Sequence, residues 1–196
     1  MAKLPPPSEP DRSRVDPEQL ELQIYPSQVL RKKAKPILEV TDEVRAVAVR
    51  MVDVMEEQKG IGLAAPQIGL SWRMFVLDVP EVEKGKDRRS ADDDPPTASR
   101  GPMVFINPVL KFEGPVEPYE EGCLSLPDVL GEVLRPPVVT VTALDQHGKQ
   151  FTIKAGGLLA RCIQHETDHL DGVLIIDKMT PTSRMKNRRA VKELEG

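Results

Sequence analysis

The alternation of apolar and polar residues along the chain predicts three helices. The first begins at Thr41 or Asp42 and ends at Gly60, and its apolar residues recur at helical spacing: Val44, Val47, Ala48, Met51 and Met55. A second helix is predicted from Gly157 or Leu158 to about Leu170, where Asp171-Gly172 follows as an end signal. A basic tail helix is predicted from roughly Pro181 to Glu193.

Five segments rich in β-branched or aromatic residues predict short strands at 73–79, 103–106, 109–112, 138–143 and 151–154. Asp145-Gln146-His147-Gly148 is turn-like and predicts a hairpin between the last two strands. Residues 81–102 contain almost no large apolar side chains and predict a long solvated loop. Residues 24–38 include Tyr25-Pro26 and Lys35-Pro36 and predict an extended arm lying on the core.

Composition divides the chain into a leader and one domain. Residues 1–17 hold five prolines and few large apolar groups, so they cannot bury enough surface to offset the entropy of ordering. We therefore expect a mobile leader at 1–17. Residues 18–196 have the length of a single globular domain.

Charge and hydropathy narrow the possible partners. Lys and Arg number 27 against 31 Asp and Glu, and the resulting formal charge of −4 gives no general affinity for DNA. The longest apolar runs fall far short of the roughly 20 residues that a membrane span needs. The first 15 residues, MAKLPPPSEPDRSRV, lack an apolar signal segment, which favours a reducing, cytoplasmic location.

A His-Glu-x-x-His motif, from His165 to His169, lies inside the second predicted helix. Histidines at positions i and i+4 share one helical face about one turn apart, near the separation at which both imidazoles can bind one ion. Glu166 then projects beside that ion. The alternative is a pair of ordinary surface or core histidines.

A catalytic site of this type usually has three protein ligands, so a third is needed. No histidine follows His169, and the downstream carboxylates lie either close to the helix end or near a chain terminus: Asp171, Asp177, Glu193 and Glu195. Cys162 shares the helix face of His165, but it lies about 10 Å along the helix axis from His169, too far to share the ion. Cys123, from a distant predicted loop, completes the economical set. The alternatives are an unpaired thiol at Cys123 and a core or pocket-wall role for Cys162.

A small-residue segment, from Gly60 to Gly69, follows the first helix. Its Gly-x-Gly-x-x-Ala pattern is not a dinucleotide fingerprint, because a helix rather than a strand precedes it and Pro66 interrupts it. The small residues instead permit close approach of another backbone, such as an extended peptide. Gln67 could donate its amide N–H to a developing oxyanion, and a turn glutamine facing water is the alternative.

The chain resembles the bacterial-type peptide deformylases in three motifs, which occur in the family's order: Gly-Ile-Gly-Leu-Ala-Ala-Pro-Gln at 60–67, Glu-Gly-Cys-Leu-Ser at 121–125, and Gln-His-Glu-Thr-Asp-His-Leu-Asp-Gly at 164–172. The likeness covers roughly residues 24–179 and does not include the leader. It implies an α+β fold, with small antiparallel or mixed sheets around a central metal-binding helix and further helices near each terminus. The implied activity is removal of the formyl group from N-formylmethionyl nascent polypeptides.

The resemblance also implies a ligand set and a mechanism. Cys123, His165 and His169 would bind one divalent ion, usually Fe(II) in the cell, with zinc, nickel or cobalt able to take its place. Glu166 would take a proton from water and pass it to the departing amine. The side-chain amide of Gln67 and the backbone N–H of Leu124 would stabilise the oxyanion.

By the same resemblance, the methionine side chain would occupy an apolar pocket built from Ile61, Tyr119, Leu158, Cys162 and the His165 ring. The peptide backbone would pair with Ile61, Gly62 and Gly122. Ordinary core packing is the alternative for each apolar member. Several relatives place an arginine seven residues after the metal cysteine, and here Leu130 stands there. Glu121 and Arg135 are predicted to hold the cysteine loop, with a solvated charge pair as the alternative.

Two other functions are compatible with the His-Glu-x-x-His motif alone. A zinc endopeptidase with the same helix would need a downstream third ligand and commonly an export signal, and neither is found. A deformylase-like binding factor without activity is disfavoured because all three ligands and Glu166 are present. We expect a monomer. The basic run from Arg184 to Arg189 is typical of a solvated helix face, with a transient contact to ribosomal RNA as the alternative.

Overall fold

The computed structural model describes residues 15–85 and 87–196. Its helices are α1 (Asp42–Glu57), α2 (Gly157–Leu170), α3 (Ile175–Lys178) and α4 (Pro181–Glu195). Its strands are β1 (Gly62–Ala64), β2 (Met74–Leu77), β3 (Met103–Glu113), β4 (Glu117–Cys123), β5 (Leu126–Arg135), β6 (Val138–Leu144) and β7 (Gln150–Gly156). Short 3-10 turns lie at Pro17–Gln19, Gln28–Arg31 and Ala65–Ile68.

The strands form two sheets. One has five strands in the order β1-β2-β3-β6-β7, and the other is the β4–β5 hairpin. Every pairing between named strands of the described chain is antiparallel. These sheets and helices confirm the predicted α+β class.

Helices cover both faces of the five-stranded sheet. Alternate residues of β2 point in opposite directions, so Phe75 packs with α2 while Met74 packs with α1. The ring of Phe75 stacks on that of Phe105 with centroids 4.7 Å apart. Burial of apolar surface on both faces therefore fixes α2 against the sheet.

A third apolar cluster holds the hairpin in place. Leu126, Val129 and Val133 of β5 pack with α3 and the side of α4, and the backbone N–H of Thr180 donates to the carbonyl of Glu132 at 2.9 Å. The C-terminal elements thus support the hairpin that faces α2.

Most elements predicted from periodicity are present. The side chain of Thr41 caps α1, and the helix ends shortly before Gly60 because Lys59 adopts a left-handed conformation with φ of 56°. The segments predicted as strands at 103–106 and 109–112 form one strand, β3, whose register shifts at Asn107. The Asn107 side chain there bonds the backbone of Ile37 in the N-terminal arm. The predicted turn at 145–148 joins β6 to β7.

One assignment was wrong. Residues 117–135 form the β4–β5 hairpin, so Cys123 ends a strand, whereas the sequence predicted a loop there. The loop at 81–102 is solvated along most of its described length, but Ala98 and Ser99 are buried. The Ser99 hydroxyl donates to the carboxylate of Asp78 at 2.6 Å, which ties the loop to the end of β2.

The predicted leader, residues 1–17, lies mostly outside the described residues. Val15 packs against the α1 side of the core, and Pro17 begins a 3-10 turn that the side chain of Asp16 caps. Within the described part of the chain, no helix combines the length and the apolar character that crossing a membrane requires.

Candidate metal centre and substrate cavity

Helix α2 carries the His-Glu-x-x-His motif. The loop at 81–102 provides hydrogen-bond acceptors for backbone N–H groups near the start of α2. The N–H groups of Gly156 and Leu159 donate to the carbonyls of Pro96 and Thr97. His165 and His169 then lie one turn apart with ring centroids separated by 5.1 Å. His169 is 1% exposed, so its ring is held in the interior.

Cys123 reaches the two histidines from the end of β4. It pairs with Leu126 across a two-residue turn, and its Sγ lies 3.3 Å from Nε2 of His169. One ligand atom from each of Cys123, His165 and His169 lies within 4.8 Å of the others. A thiolate and two imidazoles at this separation can hold a transition-metal ion, so the residues present fit a metal centre.

Cys162 lies outside the Cys123–His165–His169 group, as predicted from the rise per residue of the helix. Its Sγ lies 3.4 Å from the carbonyl oxygen of Ile61, the residue before β1. Burial raises the pKa of the Cys162 thiol well above its ordinary value, and the charge of Glu166 adds to the effect. Cys162 is therefore a protonated thiol in the cavity wall.

Glu166, the residue after His165 in α2, is a buried carboxylate. It is 4% exposed, and among the described residues its Oε2 has no hydrogen-bond partner. Burial raises the pKa of Glu166 to about 7, against the opposing influence of a nearby charge on His165. Gly62 makes room for this carboxylate, because a Cβ there would lie 2.4 Å from Oε1 of Glu166.

Gln67 is buried beside the cysteine and does not face water. Its Oε1 accepts the backbone N–H of Ala64 at 2.8 Å, which fixes the amide orientation. Its Nε2 then lies 3.3 Å from the Ser125 hydroxyl and 3.7 Å from Sγ of Cys123. Leu124, whose N–H is the other predicted oxyanion donor, follows Cys123 in the hairpin turn. Both predicted donors therefore adjoin the metal centre.

Glu121 links the histidine to the hairpin. One of its oxygens lies 3.0 Å from Nδ1 of His165, and Arg135 binds both oxygens at 2.6 and 2.9 Å. Burial alone would raise the pKa of Glu121, but the hydrogen bonds from His165 and Arg135 outweigh it and hold the pKa well below its ordinary value. The pair is buried, with side chains 6% and 3% exposed, so the solvated alternative is wrong.

Other members of this network were not predicted from the sequence. Arg161 also donates to Glu121, at 2.8 Å, and Asp168 pairs with both Arg135 and Lys178. Helical spacing could have indicated two of them, since Arg161 and Asp168 lie four residues before and three after His165 on α2.

A cavity of about 510 Å³ opens beside the metal centre. The catalytic candidates Glu166, Gln67 and Leu124 line it together with Cys123 and His165. All six predicted substrate-binding residues line it as well, namely Ile61, Gly62, Tyr119, Gly122, Leu158 and Cys162. Leu130 also borders the cavity, where some relatives have an arginine.

A family model described as polypeptide deformylase matches residues 19–185. The chain belongs to the polypeptide deformylase family. The peptide deformylase of a Picosynechococcus species is 43% identical over 170 residues, which cover 86% of this chain and 83% of the relative. That of Agrobacterium fabrum is 44% identical over 171 residues, 87% of this chain and 91% of the relative.

Solved deformylases share the fold. The crystal structure of peptide deformylase from Ehrlichia chaffeensis superposes with a TM-score of 0.79 at 30% identity, covering 90% of this chain and 94% of that one. The crystal structure of a peptide deformylase from Synechococcus elongatus in complex with actinonin superposes with a TM-score of 0.75 at 37% identity, covering 90% of this chain and 86% of that one.

Family membership confirms the predicted activity. The chain is a metal-dependent hydrolase that removes formyl groups from nascent peptides. This activity sets aside the zinc endopeptidase and the inactive binding factor.

Proposed function

We propose that the chain hydrolyses the N-terminal formyl group of N-formylmethionyl polypeptides, releasing formate, at the centre formed by Cys123, His165 and His169. The proposal rests on the convergence of these three side chains in the folded chain. Ligand atoms from β4 and α2 lie within 4.8 Å of one another, next to a buried carboxylate and a cavity of about 510 Å³.

We propose Fe(II) as the ion in the cell, with zinc, nickel or cobalt able to replace it. One thiolate and two imidazoles suit all of these metals. The bond between Nδ1 of His165 and Glu121 supports binding through Nε2, because it holds the ring by its other nitrogen. When bound, the ion supplies Lewis acidity that lowers the pKa of a water molecule.

Glu166 is the proton carrier of the proposed reaction. As a carboxylate it takes a proton from the attacking water, and it then passes that proton to the departing amine nitrogen. The orphaned Oε2 supports this role, because a buried oxygen without a protein partner is available to a water or a substrate atom.

Gln67 and Leu124 are the proposed oxyanion donors. The bond from Ala64 to Oε1 of Gln67 leaves the amide hydrogens to face the cysteine side of the cavity. A pre-oriented donor needs no rearrangement as charge develops on the formyl oxygen, and such a donor contributes about 10²- to 10³-fold in a protease.

The cavity is the proposed site of the methionine side chain, with walls from Ile61, Tyr119, Leu158, Cys162 and the His165 ring. Strand β1 pairs only with β2 in the described sheet, so its other edge can accept an extended peptide. Backbone groups of Ile61, Gly62 and Gly122 are the proposed partners of that peptide.

We further propose that the enzyme acts as a cytoplasmic monomer that contacts the ribosome transiently through α4. A single chain supplies all the ligands and pocket walls, and both cysteines are free thiols, which suits a reducing compartment. The exposed cations of α4 include Arg184, Arg188 and Lys192, spaced one turn apart. Ribosome co-sedimentation that weakens with salt and with glutamate at these positions tests the contact, and sedimentation velocity tests the monomer.

The test of the main proposal is formate release from formyl-Met-Ala-Ser by anaerobically prepared protein. Glu166→Ala is expected to abolish release while elemental analysis finds the metal retained. The control Glu57→Ala, at an exposed residue of α1, is expected to keep both. Near-normal turnover by Glu166→Ala would refute the assigned role, and cleavage of an internal peptide bond without formate release would refute the substrate.

A further inference from the structure

Arg161 is a buried arginine to which the proposed mechanism assigns no role. It is 9% exposed and lies on α2 one turn before His165, facing the β4–β5 hairpin. A guanidinium removed from water must recover its hydrogen bonds within the protein. The contacts it makes therefore indicate its purpose.

The guanidinium contacts both strands of the hairpin. Its Nη1 donates to Glu121 at 2.8 Å and to the carbonyl of Val133 at 3.1 Å, and its Nη2 donates to the carbonyl of Glu117 at 3.0 Å. Its Cζ lies 5.1 Å from the centroid of the Tyr119 ring, a cation–π contact.

Neutralising Glu121 does not require Arg161, because Arg135 already binds both carboxylate oxygens. What Arg161 adds is a connection between Glu121, which holds His165, and Tyr119, whose ring borders the substrate cavity. Tyr119 is 46% exposed, so surrounding packing alone constrains its ring weakly.

We propose that Arg161 is a positioning residue that sets the side-chain selectivity of the cavity by holding the Tyr119 ring as its wall. This inference rests on the proposed function, in which the methionine side chain occupies that cavity. A fixed wall limits the width of the cavity, whereas a ring that can swing outward admits bulkier side chains. Lysine cannot replace the arginine, because one ammonium cannot stack flat on a ring and reach two carbonyls at once.

The experiment compares kcat and KM for formyl-Met-Ala-Ser and for the bulkier formyl-Phe-Ala-Ser. Arg161→Lys and Tyr119→Leu are each expected to lower the preference for methionine by about 2- to 30-fold, the range of a cation–π contact from exposed to desolvated. The change is expected mainly in KM. Because both variants disrupt one contact, the double variant is expected to lose no more than the larger single loss.

Two further variants serve as matched controls. Tyr119→Phe keeps the aromatic ring and is expected to retain the wild-type preference for methionine, which Tyr119→Leu lowers. Arg50→Lys alters an arginine of α1 that pairs with Glu57 outside the cavity, and its preference is expected to equal that of the wild type.

An unchanged preference in Tyr119→Leu would overturn the inference even if Arg161→Lys failed to fold. Additive losses in the double variant would also overturn it, since they would indicate independent effects. If the wild-type enzyme instead released no formate from formyl-Met-Ala-Ser, the proposed function would fail rather than the role of Arg161.

Discussion

Replacing Gly62 with alanine is expected to impair catalysis while leaving the protein folded. The added Cβ would lie 2.4 Å from Oε1 of Glu166 and 2.8 Å from Sγ of Cys162. Ordinary van der Waals contact begins at 3.4 Å, so the carboxylate must move by about 1 Å. A displacement of about 1 Å costs roughly 10²-fold in rate, equivalent to about 2.7 kcal/mol of activation free energy.

The assay is formate release from formyl-Met-Ala-Ser, together with circular dichroism and metal content. Gly62→Ala is expected to keep its fold and its metal while kcat/KM falls by about 10²-fold. Gly60→Ala is the matched control, because its Cβ would meet the flexible end of the Leu124 side chain at 2.8 Å, which can move aside. A Gly62→Ala enzyme with wild-type kcat/KM would show that the carboxylate position does not limit the reaction.

Three further predictions concern stability and the metal. Glu121→Gln removes the negative charge between two buried arginines. It is expected to lower the free energy of unfolding, measured in urea, by about 3 kcal/mol, whereas Glu57→Gln at an exposed position is expected to lower it by about 0 to 1 kcal/mol. Equal losses in the two variants would contradict this prediction. Phe75→Ala in the sheet core is expected to cost about 3 to 5 kcal/mol, and Val49→Ala on the exposed face of α1 less than about 0.5 kcal/mol. Chelation is expected to abolish formate release and added Fe(II), nickel or cobalt to restore it, so full activity in metal-free buffer would rule out the metal centre.

Elements with a strong local pattern could be predicted from the sequence. Helix α1 follows from the spacing of its apolar residues and from Thr41 as its cap, and both features are local. The rejection of Cys162 as a ligand likewise needed only the rise of a helix. Its sulfur indeed lies beside the carbonyl of Ile61, outside the Cys-His-His group.

The β4–β5 hairpin was not predicted because charged residues take some of its buried positions and leucines take some of its exposed ones. The charged residues Glu121 and Arg135 point inward, and as whole residues they are 7% and 2% exposed. Leu130 and Leu134 point outward, at 57% and 48% exposed. Periodicity rules place leucine in the core and charge in water, so this hairpin resembles a loop in sequence.

The sequence by itself determined that two imidazoles share one face of a helix with a carboxylate beside them, since helical geometry depends only on neighbouring residues. Only the tertiary structure decided that the end of β4 brings Sγ of Cys123 to 3.3 Å from Nε2 of His169. It also decided that Glu121 connects His165 to Arg135 and Arg161. Those contacts span 14 to 46 residues of chain, and they depend on the packing of α3 and α4 against the hairpin, which no local pattern specifies.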